Sequence, residues 1–242
     1  MQERSERTRR RLVFAGAELF HRNGYANATL GEIAGAAGVT KGALYFHFAS
    51  KDELADAVQR RGCGLLHEAV RGLREGGASP LQALIDTTHW LARTLHEDPA
   101  IPASFRITKE CAGQQPPAVD FHGAWLAVVY ELLRMARDVG ELPLDPPDAG
   151  LDGGDPAGDG APAADRWESA EALVSAAVCG IEVLAGTGLS YAELQRKVAA
   201  LWGLLLPSLV GAERAREYRT RAGRDTRVAD GERSYEFLGS GV

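Results

Sequence analysis

The eight residues Lys41-Gly42-Ala43-Leu44-Tyr45-Phe46-His47-Phe48 hold the densest concentration of groups suited to touching a charged polymer. At about 100° per residue, Leu44 and Phe48 fall together and point inward. Gly42, Ala43 and Phe46 are then outward, flanked by Lys41, Tyr45 and His47. The small Gly42 and Ala43 let the start of such a helix approach the floor of a DNA major groove, while Lys41 and Tyr45 can bond phosphates or base edges. Core packing is the other use of aromatic rings. Tyr45, Phe46 and Phe48 occupy different faces, however, so a helix this short cannot bury all three.

The elements that must position this run are legible around it. Leu12, Ala15, Leu19 and Phe20 follow helical spacing within Ser5 to Asn23, and Gly24 is placed to end that helix in a left-handed conformation. Thr29-Leu30-Gly31-Glu32 is a capping box that opens a second helix burying Leu30, Ile33, Ala34 and Ala37, with Gly38 ending it. Thr40 is the plausible cap of a third helix, Lys41 to His47. Two short helices joined by so tight a glycine turn predict a helix-turn-helix. Ser50-Lys51-Asp52-Glu53 opens a long connector through Leu73, which Gly62 and Gly64 are placed to bend.

Further helices are expected from Ser79 to Leu95, Ala103 to Cys111, Val119 to Val139, Trp167 to Leu184 and Tyr191 to Leu206. The stretch 141–165 is dense in Asp, Pro, Gly and Ala and reads as a mobile acidic loop. No strand alternation or internal repeat is visible. The expected fold is all-α: a DNA-binding domain over residues 1–50, a larger helical body over 51–218, and a charged, frayed tail over 219–242.

The charge supports that division. Net charge is −6 over 242 residues, yet residues 1–61 carry ten Lys/Arg against seven Asp/Glu, leaving the positive end where nucleic acid is expected. A solvated surface would account for so mild an excess equally well. The apolar stretch Val198 to Val210 is broken by Gly203 and Pro207 and is shorter than the roughly 20 residues that span a bilayer. The arginine-rich start lacks a secretory core, so no membrane partner and a cytoplasmic location are expected.

Enzyme chemistry finds little support. His21, His47, His67, His89, His96 and His122 show no HExxH spacing, and neither a serine nucleophile elbow nor a phosphate-cradling glycine loop occurs. His89 and His96 stand two turns apart on one helical face, which a metal could use but which fits two ordinary polar positions better. Cys63, Cys111 and Cys179 are odd in number and widely spaced, and read as reduced core thiols. No cofactor and no metal are expected.

Thr29-Leu30-Gly31-Glu32-Ile33-Ala34, the run Gly38 to Phe48, and Lys51-Asp52-Glu53-Leu54 together resemble the DNA-binding domain of the TetR family of one-component regulators. The resemblance covers residues 7 to 55. It implies phosphate or base contacts from Thr29, Lys41, Tyr45, His47 and Lys51, and a homodimer binding palindromic double-stranded operator DNA. The Lys41 to Phe48 run, with Trp125 in the body, is similar to the γ-butyrolactone autoregulator receptors. That implies a ligand-binding and dimerisation domain over residues 51–218 and repression relieved by a small lactone or furan, or by an antibiotic in a pseudo-receptor or multidrug-type repressor. A helical adaptor without any ligand is the third reading.

Two half-sites require a dimer, because one reading helix buries too little surface for tight specific binding. The expected seam is Val174, Val178, Leu194, Val198, Leu201 and Leu205, with an intrachain core as the competing role. Trp125, in company with Leu126, Val129 and Leu133, is expected to floor an apolar effector pocket, although a lone Trp serves as core filler almost as often. Tyr130, Thr88 and Gln82 are the candidate polar contacts to that effector.

Overall fold

The computed structural model describes residues 2–111, 119–142 and 163–223, and their regular structure is entirely helical. Three helices form the head: α1 (Gln2–Asn23), α2 (Leu30–Ala36) and α3 (Lys41–His47). The connector α4 (Lys51–Glu75) leads into α5 (Pro80–Glu97), α6 (Ala100–Cys111), α7 (Phe121–Asp138), α8 (Ala163–Ala185) and α9 (Tyr191–Val210), followed by a 3-10 turn at Arg214–Glu217. The acidic loop expected over 141–165 lies for the most part outside the described residues.

The boundaries follow from caps. Thr29 and Glu32 form the reciprocal capping box, and Thr40, Ser50 and Ser190 each accept from a backbone amide in the first turn of the helix that follows. Gly24 and Gly38 have φ of 87° and 62°, conformations that L side chains resist, so the chain can turn sharply on either side of α2. Other expectations need correction. Connector α4 runs unbroken past Gly62 and Gly64. Gly62 serves close packing instead: a Cβ there would meet the Phe121 ring at 3.0 Å and Ser104 Oγ at 3.1 Å. Helix α6 begins three residues earlier than the spacing suggests, and α9 continues through Pro207 for one more turn.

Two hydrophobic cores result. One joins Leu12, Phe20, Ile33, Leu44 and Phe48 of the head to Leu54 of α4 and to Ala100, Ala103 and Ile107 of α6. The other fills the body around Trp125, Trp202, Leu84, Phe121, Val178 and Val198, and takes Ile101 and Phe105 from the same α6. Each fully buried large side chain contributes about 1.5–3 kcal/mol. Helix α6 is thus divided lengthwise between head and body. A head bounded at residue 50 omits part of its own core.

Candidate nucleic-acid interface

Helix α3 is anchored from beneath by Leu44 and Phe48, both fully buried. With that face committed, Tyr45 and Phe46 point to solvent at 57% and 81% exposure, an unusual display for two large rings on a helix of seven residues. Lys41 and Gly42 are also exposed, while Ala43 and His47 are half-buried. Phe46 stacks edge-on against the His47 ring, with centroids 5.2 Å apart. Lys41 lies across α2, where a side chain at Gly31 would meet its Cε at 2.8 Å. The bare glycine gives the ammonium its route over the α2 surface.

Thr29 and Thr40 are engaged locally. Thr40 Oγ1 accepts from the Ala43 amide, and Thr29 Oγ1 donates to Glu32 at 2.6 Å while accepting from the Glu32 amide. The Thr29 hydroxyl and the Thr29 amide, which donates to Glu32 Oε2 at 3.0 Å, hold the Glu32 carboxyl below its ordinary range. Lys51 differs more sharply from expectation. Its Nζ donates to the carbonyls of Tyr25, Ala26 and Ala28 at 2.8, 3.1 and 3.2 Å and sits 4.5 Å over the Tyr25 ring. Three donors meet three acceptors, so the ammonium ties α4 to the loop before α2 rather than reaching outward to a phosphate.

Several positioning residues had little or no sequence signal. Arg11 donates to the Ala37 carbonyl at the end of α2, and the Arg9 guanidinium lies 5.0 Å over the Phe48 ring. Tyr25 donates to Asp52; burial first, then that carboxylate, pushes its hydroxyl well above the ordinary range. Arg106 on α6 donates to the His21 and Arg22 carbonyls at 2.7 and 3.2 Å, closing the end of α1. Its partner Glu110 accepts from the Ala26 amide at 3.0 Å. Burial opposes ionisation of Glu110, but that amide and Arg106 together hold its carboxyl low. The opposite charges of Arg106 and Glu110, four residues apart, were the one trace of this clamp in the sequence.

In the body, Trp125 is fully buried and its Nε1 has no hydrogen-bond partner among the described residues; Ser104 Oγ on α6 and Ser175 Oγ on α8 are likewise buried and unpaired among them. An unpaired buried donor costs about 1–3 kcal/mol, so these atoms are the natural place to look for a bound polar group. The other expected contacts lie elsewhere. Thr88 Oγ1 accepts from Trp202 Nε1 at 2.8 Å, Gln82 bonds the backbone of Arg219, and Tyr130 is 40% exposed on the outer side of α7. His89 and His96 face protein oxygens, from Gln195 and Thr220 and from Ala92 and Leu189 respectively. No group of three metal-ligating side chains occurs among the described residues.

The expected dimer seam also needs revision. Val174, Val178, Leu194 and Val198 are wholly buried within the single chain, Leu205 nearly so, and Leu201 is half-buried. Helices α8 and α9 carry apolar residues on both sides, and the side that holds the residues expected at the seam packs inward. The outward side carries Leu173, Val183 and Leu184 on α8 and Leu204, 77% exposed, on α9.

Residues 12–58 match the family of bacterial regulatory proteins of the tetR type. The A-factor receptor protein of Streptomyces griseus is 30% identical over 211 residues, 86% of this chain and 66% of that receptor's length. A solved γ-butyrolactone receptor, described as ArpA-like, is 28% identical, with a TM-score of 0.68 over 89% of this chain and 94% of its own. Full-length TylP, a TetR regulator from Streptomyces fradiae, is 31% identical, with a TM-score of 0.61 over 95% of this chain and 91% of its own. The chain belongs to the TetR family. It is a TetR-type transcriptional regulator similar to γ-butyrolactone receptors, and the relatives named here are regulators rather than enzymes. Among the described residues no helix is long and apolar enough to cross a membrane.

Proposed function

We propose that this TetR regulator is a homodimeric repressor that binds a palindromic operator through Lys41, Tyr45, Phe46 and His47 of α3, and leaves it when a small amphipathic molecule enters the body. The observation that carries the reading is the exposure of Tyr45 and Phe46 above the buried Leu44 and Phe48. That arrangement leaves two rings without intrachain burial on the helix that the family uses to read DNA. Gly42 and Ala43 keep the approach low, and Thr29 and Thr40 hold the two helix starts in register.

A lactone or furan of the γ-butyrolactone class suits the effector site, because Trp125 offers a buried flat wall with a free indole donor. Helix α6 is the coupling element, since its two faces lie in both cores and Arg106 clamps α1. An effector that prefers one setting of α6 lowers DNA affinity by as much as it discriminates between the two settings. The outward sides of α8 and α9 supply the dimer contact. Selection of bound DNA from a random pool, followed by release assays with lactones, furans and antibiotics, tests the whole scheme. A palindrome released by a lactone is expected; a single half-site, or no release by any small molecule with no change in melting temperature, would leave the adaptor reading.

A further inference from the structure

Past α9 the chain does not fray at Tyr218 but crosses back over the far end of the bundle. Arg214 donates to the Gly140 carbonyl at 3.0 Å. Tyr218 donates to Glu141 Oε1 at 3.1 Å, and the other oxygen of that carboxylate accepts from the Leu81 amide, capping α5 where Ser79 makes no side-chain cap. Burial and the Glu141 charge push the Tyr218 hydroxyl up to about 12. The next two residues meet a row of polar side chains on one face of α5. Gln82 bonds both backbone groups of one residue, accepting from the Arg219 amide at 2.9 Å and donating to the Arg219 carbonyl at 3.1 Å. One turn on, Asp86 accepts from the Arg219 guanidinium at 2.8 Å, and His89 Nε2 donates to the Thr220 carbonyl at 2.8 Å.

Gln82, Asp86 and His89 are spaced four and three residues apart, the repeat that aligns side chains along a helix. Their polarity is costly in this position. Asp86 has a side-chain exposure of 2%, and its one ion pair among the described residues is with Arg219, itself 55% exposed. A buried carboxylate is stable only with a paired charge and satisfied hydrogen bonds, so the row demands a cation presented on extended backbone. Gln195 of α9 holds the row in place by donating to the His89 carbonyl at 3.0 Å.

We propose that α5 carries a peptide-recognition groove, Gln82-Asp86-His89, selective for an extended segment bearing an arginine, and that Tyr218–Thr220 of the same chain fills it as a displaceable latch. The contacts are those of a bound peptide: paired backbone hydrogen bonds to one residue, a charge-assisted contact to its side chain, and one further carbonyl. The segment that docks follows α9 by way of the 3-10 turn Arg214–Glu217, so the latch ties the end of α9 to α5.

Trypsin cleavage after Arg219 in the full chain, followed by mass spectrometry, reads docking directly. Cleavage is expected to be at least about ten-fold slower than in a free synthetic peptide of residues 214–223. Arg219→Gln, cut instead after Arg216 and Arg221, and Asp86→Asn should raise the rate at those sites towards that of the peptide. Arg219→Gln leaves the core untouched, so it decides the matter if Asp86→Asn does not fold. Millimolar wild-type peptide should speed cleavage of the intact chain by competition, whereas the same peptide with Arg219→Gln should not. A chain cut as fast as the free peptide, an Arg219→Gln chain as protected as wild type, or a peptide without effect would overturn the groove. Protection that vanishes on dilution would place the docked segment on a second copy and overturn the latch.

Discussion

Gln59, fully buried on α4, accepts from the Phe121 amide at the start of α7 with its side-chain oxygen, at 3.1 Å. Its nitrogen donates to the Ser104 carbonyl at 3.3 Å and to the Thr108 hydroxyl at 3.1 Å on α6. One amide therefore joins the connector to two body helices beside the head. Gln59→Leu keeps the bulk, removes three hydrogen bonds and leaves the Phe121 amide at the start of α7 without its acceptor. We expect a loss of about 2–4 kcal/mol in folding stability, measured by urea unfolding, at roughly 1 kcal/mol for each hydrogen bond lost. A loss below 0.5 kcal/mol would mean that the junction is held by packing alone.

Substitutions on α3 test the proposed DNA contact separately from folding. Tyr45→Ala and Lys41→Ala remove exposed groups, so melting temperature should hold while operator affinity falls by roughly 1–3 kcal/mol for each specific contact. Lys51→Ala should do the reverse of a phosphate contact. Losing its three carbonyl partners should lower stability and weaken DNA binding without reducing the dependence of affinity on salt by the unit that a lost phosphate contact brings. Filter binding across a salt series distinguishes the two.

The dimer reading turns on which side of α9 faces a second chain. Leu204→Glu places a charge on the outward side and should give a folded monomer by light scattering, with operator affinity greatly reduced. Val198→Ala, on the inward side, should instead lower stability by about 1–3 kcal/mol and leave the dimer intact. A folded Leu204→Glu dimer would exclude this surface.

Trp125→Phe preserves an aromatic wall but removes the free indole donor. The variant should fold and bind operator like wild type, yet need a higher effector concentration for release. If release occurs at an unchanged concentration, the indole takes no part in sensing.

His21 provides a pH test of the clamp on α1. Burial, then the Arg106 and Arg22 charges, lowers its imidazole pKa. The folded state therefore binds fewer protons than the unfolded chain between the lowered and ordinary values. Its stabilising contribution is complete above the ordinary histidine range and declines as pH falls through the window below it. His21→Gln should flatten that part of the stability profile, followed by thermal unfolding between pH 5 and 8; an unchanged slope would assign it to another group.

The head was legible because its signals are local. Capping hydroxyls, glycines at left-handed turns and apolar residues at i, i+3 and i+4 act within one turn of the chain, and Thr29, Thr40, Gly38 and Leu44 stand as their types imply. What escaped depends on contacts distant in sequence. Lys51 looked like a surface cation until Tyr25, Ala26 and Ala28 closed around it. Gln82 and Thr88 looked free until Arg219 and Trp202 came to meet them. The residues expected to form a seam on α8 and α9 instead pack within the chain, because both sides of these helices carry apolar residues and periodicity cannot say which of two such sides turns inward.

The lengthwise division of α6 also limits how the molecule can be cut or recombined. A fragment ending at residue 50 would lack Leu54 and Val58 of α4 together with Ala103 and Ile107 of α6, and would expose the apolar surface they cover. The head should therefore not survive as an isolated module. Grafting it onto a foreign body requires moving α4 and the head-facing side of α6 with it, so head and body are inherited together.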